Sequence, residues 1–200
     1  MKHIIRSFLF AFTALLMASC ASVQVADYAQ EKPKFDLREY FNGRIIAHGI
    51  VQDRAGKVIR RMTVDMVCIW VGDTGTLNED FTYADGKKER RIWTIKKQGD
   101  RYIGTAADVV GEAIGEAAGN ALNWKYVLAL PVDDKVYNVD FDDWMWQLDS
   151  KVMVNRATFS KFGFKLGEVL ITFYKQRAHS THRSVTGLNS VSGSSAHPPG

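Results

Sequence analysis

Apolar and polar residues alternate along most of the chain between residues 35 and 175. In the segment 58–70, every second residue from Met62 to Trp70 is apolar, whereas the intervening positions include Thr63 and Asp65. A period of two residues is typical of a β-strand with one buried face. Similar runs, separated by turn residues, cover 44–52, 76–83, 89–97, 102–110, 124–132, 136–141, 151–159 and 168–175. This pattern predicts an all-β domain over 35–175, an antiparallel up-and-down β-barrel without free sheet edges.

The Ala-Asp-Gly sequence at 84–86 predicts the register of one hairpin. It suits a three-residue turn in which the glycine adopts the left-handed conformation. The turn then places Leu77 opposite Trp93 and Glu79 opposite Arg91, which keeps apolar positions facing apolar positions. A slip of one residue would reverse the two faces, so this register is strongly specified.

Glu79 and Arg91 are charged residues among large apolar neighbours on the predicted inner face. An unpaired buried charge costs several kcal/mol, so we expect the two side chains to neutralise each other across the strands. They form either a structural ion pair or a pair that orients a ligand. A two-residue turn at 98–99 would place Gly104 over Trp93 and Ala106 over Arg91. Such small residues leave room inside a barrel for a ligand.

His48 is the only histidine of the predicted domain. A three-residue turn at 54–56 places it opposite Met62, on one face with Ile46 and Ile50. A catalytic histidine needs an orienting carboxylate and a nucleophile, and no such residues occur at diagnostic spacing. We therefore expect His48 to be either a structural residue or a fourth residue of the ligand site, beside Glu79, Arg91 and Trp93.

The segment 140–146 is dense in carboxylates and aromatic rings, but it lacks the glycine and distal glutamate of a calcium loop. We expect its aspartates to bond backbone amides in a turn at a strand end, and Trp144 to close one end of the barrel. The sequence contains no recognisable nucleophile, metal cluster or cofactor motif. It therefore predicts no catalytic residue, no metal site and no cofactor, and the protein is not expected to be an enzyme.

Glycine recurs every four residues at Gly111, Gly115 and Gly119, with alanines between. Glu112 and Glu116 exclude a membrane-embedded helix face, and the lysine of a phosphate-binding loop is missing. We expect a mobile loop or a short, glycine-weakened helix that could cover the mouth of the barrel.

The first 19 residues have the features of a secretion signal. Lys2 and Arg6 give a basic start, residues 4–17 are almost wholly apolar, and two small residues precede Cys20. The apolar run is too short to span a bilayer, which takes about 20 residues in a helix. We expect cleavage before Cys20, which gives either a plain periplasmic protein or a lipoprotein.

The segment 16–20 resembles the lipobox of bacterial lipoproteins, with Met17 where leucine is more common. The resemblance implies that a diacylglyceryl group is added to the Cys20 thiol, that residues 20–34 form a tether, and that the membrane is a partner. Each buried methylene of such a lipid contributes about 0.8 kcal/mol to anchoring. By similarity to lipoprotein sorting, Ala21 favours the periplasmic face of the outer membrane.

Charge and cysteine content further limit the class of protein and its expected partners. Residues 35–175 contain 20 Lys and Arg and 20 Asp and Glu, so the domain is neutral although the whole chain carries +4. Without a basic patch, nucleic acid is not an expected partner.

Once Cys20 is lipidated, Cys68 has no other cysteine with which it could form a disulfide. We therefore expect Cys68 to be buried and to pack like a small apolar residue. The Ser-, Gly-, Thr- and His-rich residues 176–200 predict a disordered tail.

Six short stretches together resemble an uncharacterised family of proteobacterial lipoproteins, a domain of unknown function numbered 3833. The resemblance extends over nearly all of 35–175, and its stretches are 40–43, 77–83, 91–93, 119–124, 142–145 and 161–163. More loosely, Phe41 and Gly43 before the first strand are similar to the opening of lipocalin barrels, although the usual tryptophan is absent. The resemblance implies a lipocalin-like barrel and no established activity.

We therefore expect a membrane-anchored lipoprotein of unknown biochemical function. In the first hypothesis, it binds a small apolar or amphipathic ligand inside the barrel. In the second, it is a structural or envelope-assembly lipoprotein with a solid barrel, and a protein partner binds outside.

Overall fold

The computed structural model describes residues 22–132 and 134–177. The predicted signal peptide, Cys20 and all but the first two residues of the predicted tail lie outside this part of the chain. None of the helices in the described residues is long and apolar enough to cross a membrane.

Ten β-strands form a closed barrel. Each strand pairs antiparallel with its neighbours in the chain, and β1 also pairs with β10. This confirms the predicted all-β, up-and-down barrel, which is consistent with a lipocalin-like fold. The strands are β1 (Gly43–Asp53), β2 (Val58–Val71), β3 (Thr74–Tyr83), β4 (Lys88–Gln98), β5 (Arg101–Thr105), β6 (Ala113–Ala118), β7 (Ala121–Val132), β8 (Lys135–Gln147), β9 (Val152–Lys161) and β10 (Phe164–Lys175).

The hairpin between β3 and β4 has the predicted register. Gly86 has a φ of 86°, and its N–H donates to the carbonyl oxygen of Tyr83 at 2.9 Å. Leu77 lies opposite Trp93 and Glu79 lies opposite Arg91, as the turn sequence predicted. The glycine is needed here because a side chain in this left-handed conformation would be strained.

The register between β1 and β2 differs from the prediction by one residue. Gln52 pairs with Val58, but the preceding Val51 pairs with Arg60. One additional residue of β2 therefore lies in a β-bulge between these two pairs. His48 consequently lies opposite Thr63 and not opposite Met62. The predicted face is wrong for β1: its buried positions are Ile45, Ala47 and Gly49, and His48 is exposed on the outer face.

The turn between β4 and β5 is one residue later in the chain than predicted. Gln98 pairs with Arg101, and Gly99 takes a φ of 66° at the first central position. Gly104 therefore lies opposite Ile95, two residues away from the predicted partner Trp93. Because the shift is even, the inward face is the predicted one although the partners are wrong.

The glycine- and alanine-rich segment forms strand β6, so the predicted loop or helix is wrong. β6 pairs with β5 on one side and with β7 on the other, and these ladders outweigh its low strand propensity. A Cβ atom on Gly115 would collide with the ring of Trp124. Gly115 is therefore required because the indole of Trp124 packs against the inner wall at this position.

One end of the barrel is closed by the segment that precedes β1. Its helix α1 (Leu37–Tyr40) follows Asp36, whose side chain accepts a hydrogen bond from the Arg38 N–H. The segment buries four apolar or aromatic side chains in the end of the barrel, those of Phe35, Leu37, Tyr40 and Phe41. The Tyr40 hydroxyl donates to the carbonyl oxygen of Lys151 at 2.8 Å. We call the half of the barrel next to α1 the closed half and the other the open half.

Trp144 does not close the barrel, so this prediction is wrong. It lies within β8, three residues before the strand ends, and alternation along the strand directs Asp143 inward and Trp144 outward. On the outer surface its ring stacks with Trp146, at a centroid distance of 5.8 Å, and contacts Tyr28 at 5.9 Å. Tyr28 belongs to a 3₁₀ turn (Val25–Tyr28) that packs against β6 and β7.

Candidate ligand site in the open half of the barrel

The two halves of the interior are packed differently. In the closed half, the largest inward side chains are fully buried, among them Tyr102, Phe35, Ile45, Met66, Leu122 and Met153. In the open half, many inward side chains are only partly buried, namely Glu79, Phe81, Arg91, Tyr126, Phe141, Phe159 and Ile171. Partial exposure of inward positions means that solvent reaches the interior from the end opposite α1. The open half therefore has space that the closed half lacks.

Aromatic rings form most of the apolar wall of the open half. Tyr126, Phe141 and Phe159 lie on three adjacent strands and stack at centroid distances of 5.0 and 5.6 Å. The ring of Trp93 meets Tyr126 edge-on at 5.6 Å, and it meets Trp124 edge-on at 5.9 Å. Such arrangements bury large apolar surfaces in a fixed geometry.

Gly104 accommodates these indoles. A Cβ atom at Gly104 would come within 2.6 Å of the Trp124 ring and 3.3 Å of the Trp93 ring. The expected empty space beside this glycine is therefore filled, and the room in the barrel lies nearer to the mouth.

Arg91 forms its ion pair with Asp108, a residue of the loop between β5 and β6. Its Nε lies 3.1 and 2.9 Å from the two carboxylate oxygens, and its Nη2 lies 2.7 Å from Oδ2. Burial alone would lower the pKa of Arg91, but the hydrogen bonds that it donates to Asp108 and the charge of Glu79 raise this pKa above the ordinary value. The predicted neutralisation of Arg91 by Glu79 is thus replaced by a two-oxygen contact with Asp108.

Glu79 lies opposite Arg91 on one side and opposite Met66 on the other. No residue in the described part of the chain donates a hydrogen bond to its carboxyl group. Burial raises its pKa to about 7; Arg91 opposes this shift, whereas the charges of Asp108 and Asp143 add to it. Glu79 is therefore a hydrogen-bond acceptor that remains open to the interior.

A second carboxyl group faces the same space. Asp143 is 7% exposed, and it accepts a hydrogen bond from the Asn155 side chain on Oδ1. The Tyr126 hydroxyl donates to its Oδ2 at 3.4 Å. Burial raises the pKa of Asp143 to about 7, although both hydrogen bonds act to lower it. Burial also raises the pKa of Tyr126 well above its ordinary value, so its hydroxyl retains the proton that it donates.

These carboxyl groups form the floor of the open half, and aromatic rings lie above them. Along β3, Phe81 and Tyr83 follow Glu79 toward the mouth, and their rings stack at 6.3 Å. On β8, Phe141 occupies the inward position nearer to the mouth than Asp143. The arrangement can hold a molecule with a polar group at the floor and an apolar part between the rings.

The structure brings together three of the four predicted site residues. Glu79, Arg91 and Trp93 face the interior on adjacent strands, whereas His48 lies on the opposite side of the wall. A cavity of about 700 Å³ is lined by short stretches of β1, β2, β3, β9 and β10, and its lining includes the inward-facing Gly49, Met62, Tyr83, Asn155 and Ile171. The prediction that His48 lines the same site as Glu79 is wrong because the bulge in β2 reverses the face.

The predicted site omitted Asp108, Tyr126, Asp143 and Asn155. The alternation of inward and outward positions could have indicated three of them. Tyr126 lies two residues after the inward Trp124, and Asp143 lies two residues after the inward Phe141. Asn155 pairs with Met145, which also faces inward. Asp108 lies beyond the end of β5, where alternation no longer predicts orientation.

Cys68 is buried, 1% exposed, as the sequence predicted. Burial raises the pKa of its thiol to about 12, and the charge of Glu79 adds to the shift. Among residues 22–132 and 134–177, no group of three or more His, Cys, Asp or Glu side chains could hold a metal ion.

Comparisons with known proteins give a family and a fold. A family model described as "Protein of unknown function (DUF3833)" matches residues 14–175. No curated protein matches the chain. A crystal structure of a protein with unknown function from the DUF3598 family, from Nostoc punctiforme PCC 73102, is similar with a TM-score of 0.51 and 12% identity. The match covers 78% of this chain and 53% of that one, so this chain spans about half the length of its structural relative.

Proposed function

This chain belongs to the family described as "Protein of unknown function (DUF3833)", so we propose its function from the geometry of the barrel and from the sequence that precedes it. The protein is a lipid-anchored binding protein that holds a small apolar or amphipathic molecule in the open half of the barrel. The observation that carries the proposal is the contrast between the two halves: side chains fill the closed half, whereas solvent reaches inward aromatic and carboxyl groups in the open half.

The open half supplies both kinds of contact that such a ligand needs. Phe81, Tyr126, Phe141 and Phe159 offer an apolar wall, and Glu79 offers a polar group without a protein partner among the described residues. Ligand pockets are commonly apolar cavities with a few placed polar groups.

The anchoring part of the proposal rests on Cys20 and its resemblance to a lipobox. The first elements after this segment support a compatible arrangement: Tyr28 packs over Gly119, in the turn at the closed end of β6 and β7. The chain between the proposed anchor and the barrel thus approaches the closed half, and the mouth stays unobstructed. We propose the periplasmic face of the outer membrane as the location.

Mass spectrometry of extracts from natively purified protein tests the binding function. We expect a reproducible small molecule that the Ile171→Trp variant loses, because an indole at this partly exposed inward position would fill the open half. The Leu170→Trp variant is the matched control, since alternation along β10 directs the Leu170 side chain to the outer face of the same strand. If neither the native protein nor protein incubated with amphiphiles retains a molecule, the proposal is wrong.

A second candidate function, envelope assembly with a protein partner bound outside, is supported by apolar side chains on the outer face of the barrel. On β2, Val67 and Ile69 are 45% and 56% exposed, and they could contact a segment of such a partner. A photo-crosslinking residue at position 69 would then capture the same envelope protein in repeated experiments, and an Arg91→Ala variant, whose outer face is unchanged, would capture it as well. Absence of a reproducible adduct would exclude this face as a partner site.

A further inference from the structure

We propose that the molecule held in the open half carries a positively charged head group, an alkylammonium, and that Glu79 receives it. This inference rests on the proposed binding function and specifies the chemical class of the ligand. It is derived from the charges around Arg91, from the hydrogen bonds that are already formed there, and from the rings that surround Glu79.

When all of them are ionised, the polar groups of the site carry an excess of negative charge. Within the described residues, Glu79, Asp108 and Asp143 contribute three carboxyl groups around one guanidinium group, that of Arg91. A bound anion would therefore meet net repulsion, whereas a cation would reduce the imbalance.

The preferred edge of Arg91 is already occupied. Three N–O contacts between 2.7 and 3.1 Å bind its Nε and Nη2 to Asp108. A carboxylate or phosphate ligand could take this two-oxygen contact only by displacing Asp108, whose charge would then be unpaired. The two side chains are 24% and 36% exposed, so this displacement would break a partly buried ion pair. Two cations near the rim are also engaged: Lys87 pairs with Glu89 at 2.7 Å, and Arg60 lies 4.4 Å from the centroid of the Tyr83 ring.

Glu79 has the opposite character. Asn155 and Tyr126 already donate to Asp143, but no described residue donates a hydrogen bond to the Glu79 carboxyl group. An alkylammonium supplies the missing donors and the missing positive charge in one group.

The rings near Glu79 suit a cation as well as an alkyl chain. Phe81 follows Glu79 on the inner face of β3, and its ring already has the Arg91 guanidinium at 5.6 Å from its centroid. Aromatic faces attract cations within about 6 Å. The stacked rings of Tyr126, Phe141 and Phe159 then provide the wall along which the chain lies.

Binding of a cation would be coupled to ionisation of Glu79. Because burial raises the pKa of Glu79 to about 7, the ammonium is bound more tightly as the carboxyl group loses its proton near neutral pH. The titratable and charged groups that face Glu79 from β2, β4, β7, β8 and the loop after β5 are Cys68, Arg91, Tyr126, Asp143 and Asp108. Arg91 opposes this rise in pKa, and Asp108 and Asp143 promote it.

A fluorescence titration with three matched probes tests the inference on the full-length protein. Octylammonium, octanol and octanoate share one chain length and differ in head-group charge, and the indoles of Trp93 and Trp124 report binding inside the barrel. We expect octylammonium to bind about tenfold more tightly than octanoate at pH 8, as expected for a charge-assisted contact. The preference should decrease at pH 6, where Glu79 holds its proton.

Two variants separate the charge of Glu79 from general effects. Glu79→Gln should weaken octylammonium binding about tenfold and octanol binding by much less, because only octylammonium loses a charge-assisted contact. Asp80→Asn is the control, since Asp80 lies on the outer face beside Glu79 and pairs with Arg90. Asp108→Asn should strengthen octanoate binding because it releases Arg91, and such a gain cannot result from misfolding.

The possible outcomes distinguish the two proposals. If octanol binds but octanoate binds as well as octylammonium, or if Glu79→Gln changes nothing, the cationic head group is wrong and the binding function stands. If none of the three probes changes the fluorescence, both proposals are wrong.

Discussion

Glu79 and Asp143 are carboxylic acids whose ionisation the fold opposes. The carboxyl group of Glu79 has a pKa of about 7 in the folded protein, against an ordinary value of 4.5. The folded state therefore holds its proton over a range in which the unfolded chain has released it. From the linkage relation, the free energy of unfolding must fall as the pH rises from about 4.5 to about 7, and the loss is complete above that range.

Glu79→Gln should remove part of this decline. We expect the variant to be more stable than the wild type at pH 8 by about 2 kcal/mol, since one pKa unit corresponds to about 1.4 kcal/mol and Glu79 keeps partial contact with solvent. The two proteins should be nearly equal at pH 4. Urea unfolding at both pH values measures the effect, with Asp80→Asn as the control. An identical pH dependence in the wild type and Glu79→Gln would contradict the assigned burial of Glu79.

Asn155 stabilises a buried carboxyl group, and its loss should be costly. Asn155→Leu removes the side-chain donor to Asp143 and leaves that carboxyl group with the weaker contact from Tyr126. We expect the free energy of unfolding to fall by about 1–3 kcal/mol, the usual cost of an unsatisfied buried acceptor. Arg156→Leu, on the outer face of the same strand, is the control, and a loss of equal size there would point to a general effect on β9.

At the scale of elements, β6 is the strand whose packing depends most directly on small residues. Gly115→Val would place two methyl groups where the ring of Trp124 lies. We expect a loss of about 1–3 kcal/mol in the free energy of unfolding, as for other overpacked cores. The exposed neighbour Glu116 provides the control: Glu116→Val has the same new side chain on the outer face. Unchanged stability of Gly115→Val would show that Trp124 has another position available.

Strand pairing also shows how far sequence patterns predict this fold. The pairing of Glu79 with Arg91 was predicted correctly, because the glycine of the turn at 84–86 favours one hairpin loop length and therefore one register. The bulge in β2 was not predictable from alternation, since an additional residue changes the register without changing the composition of the strand. β6 was not predicted because glycine and alanine carry no alternating signal; its neighbours on both sides make it a strand.

The same argument explains which site residues could be predicted. Glu79, Arg91 and Trp93 follow from one hairpin register and alternation, whereas His48 was placed on the wrong face by the undetected bulge. Asp108 reaches Arg91 from a loop, where the sequence gives no orientation. Contacts of this kind depend on how distant strands close the barrel, and a linear pattern does not contain that information.

At the scale of the whole molecule, Cys20 should decide where the protein resides. We expect Cys20→Ala to be lost from the membrane fraction and to lack the mass of a diacylglyceryl group, because the lipobox thiol is the proposed site of attachment. Cell fractionation and intact-mass measurement test this. Cys68→Ala is the matched control, because Cys68 is buried in the barrel and should leave localisation unchanged. A Cys20→Ala protein that stays with the membrane would contradict lipid anchoring.

The closure of one end by α1 leaves the barrel a single entrance. A ligand of the proposed kind would therefore enter and leave by the same route. Since Glu79 and Asp143 lie deeper than the rings of Phe81 and Phe141, its head group would enter first and its tail would stay toward the opening. The tail would then be the part accessible to another protein or to a membrane, which suits a protein that transfers its ligand and does not suit a channel.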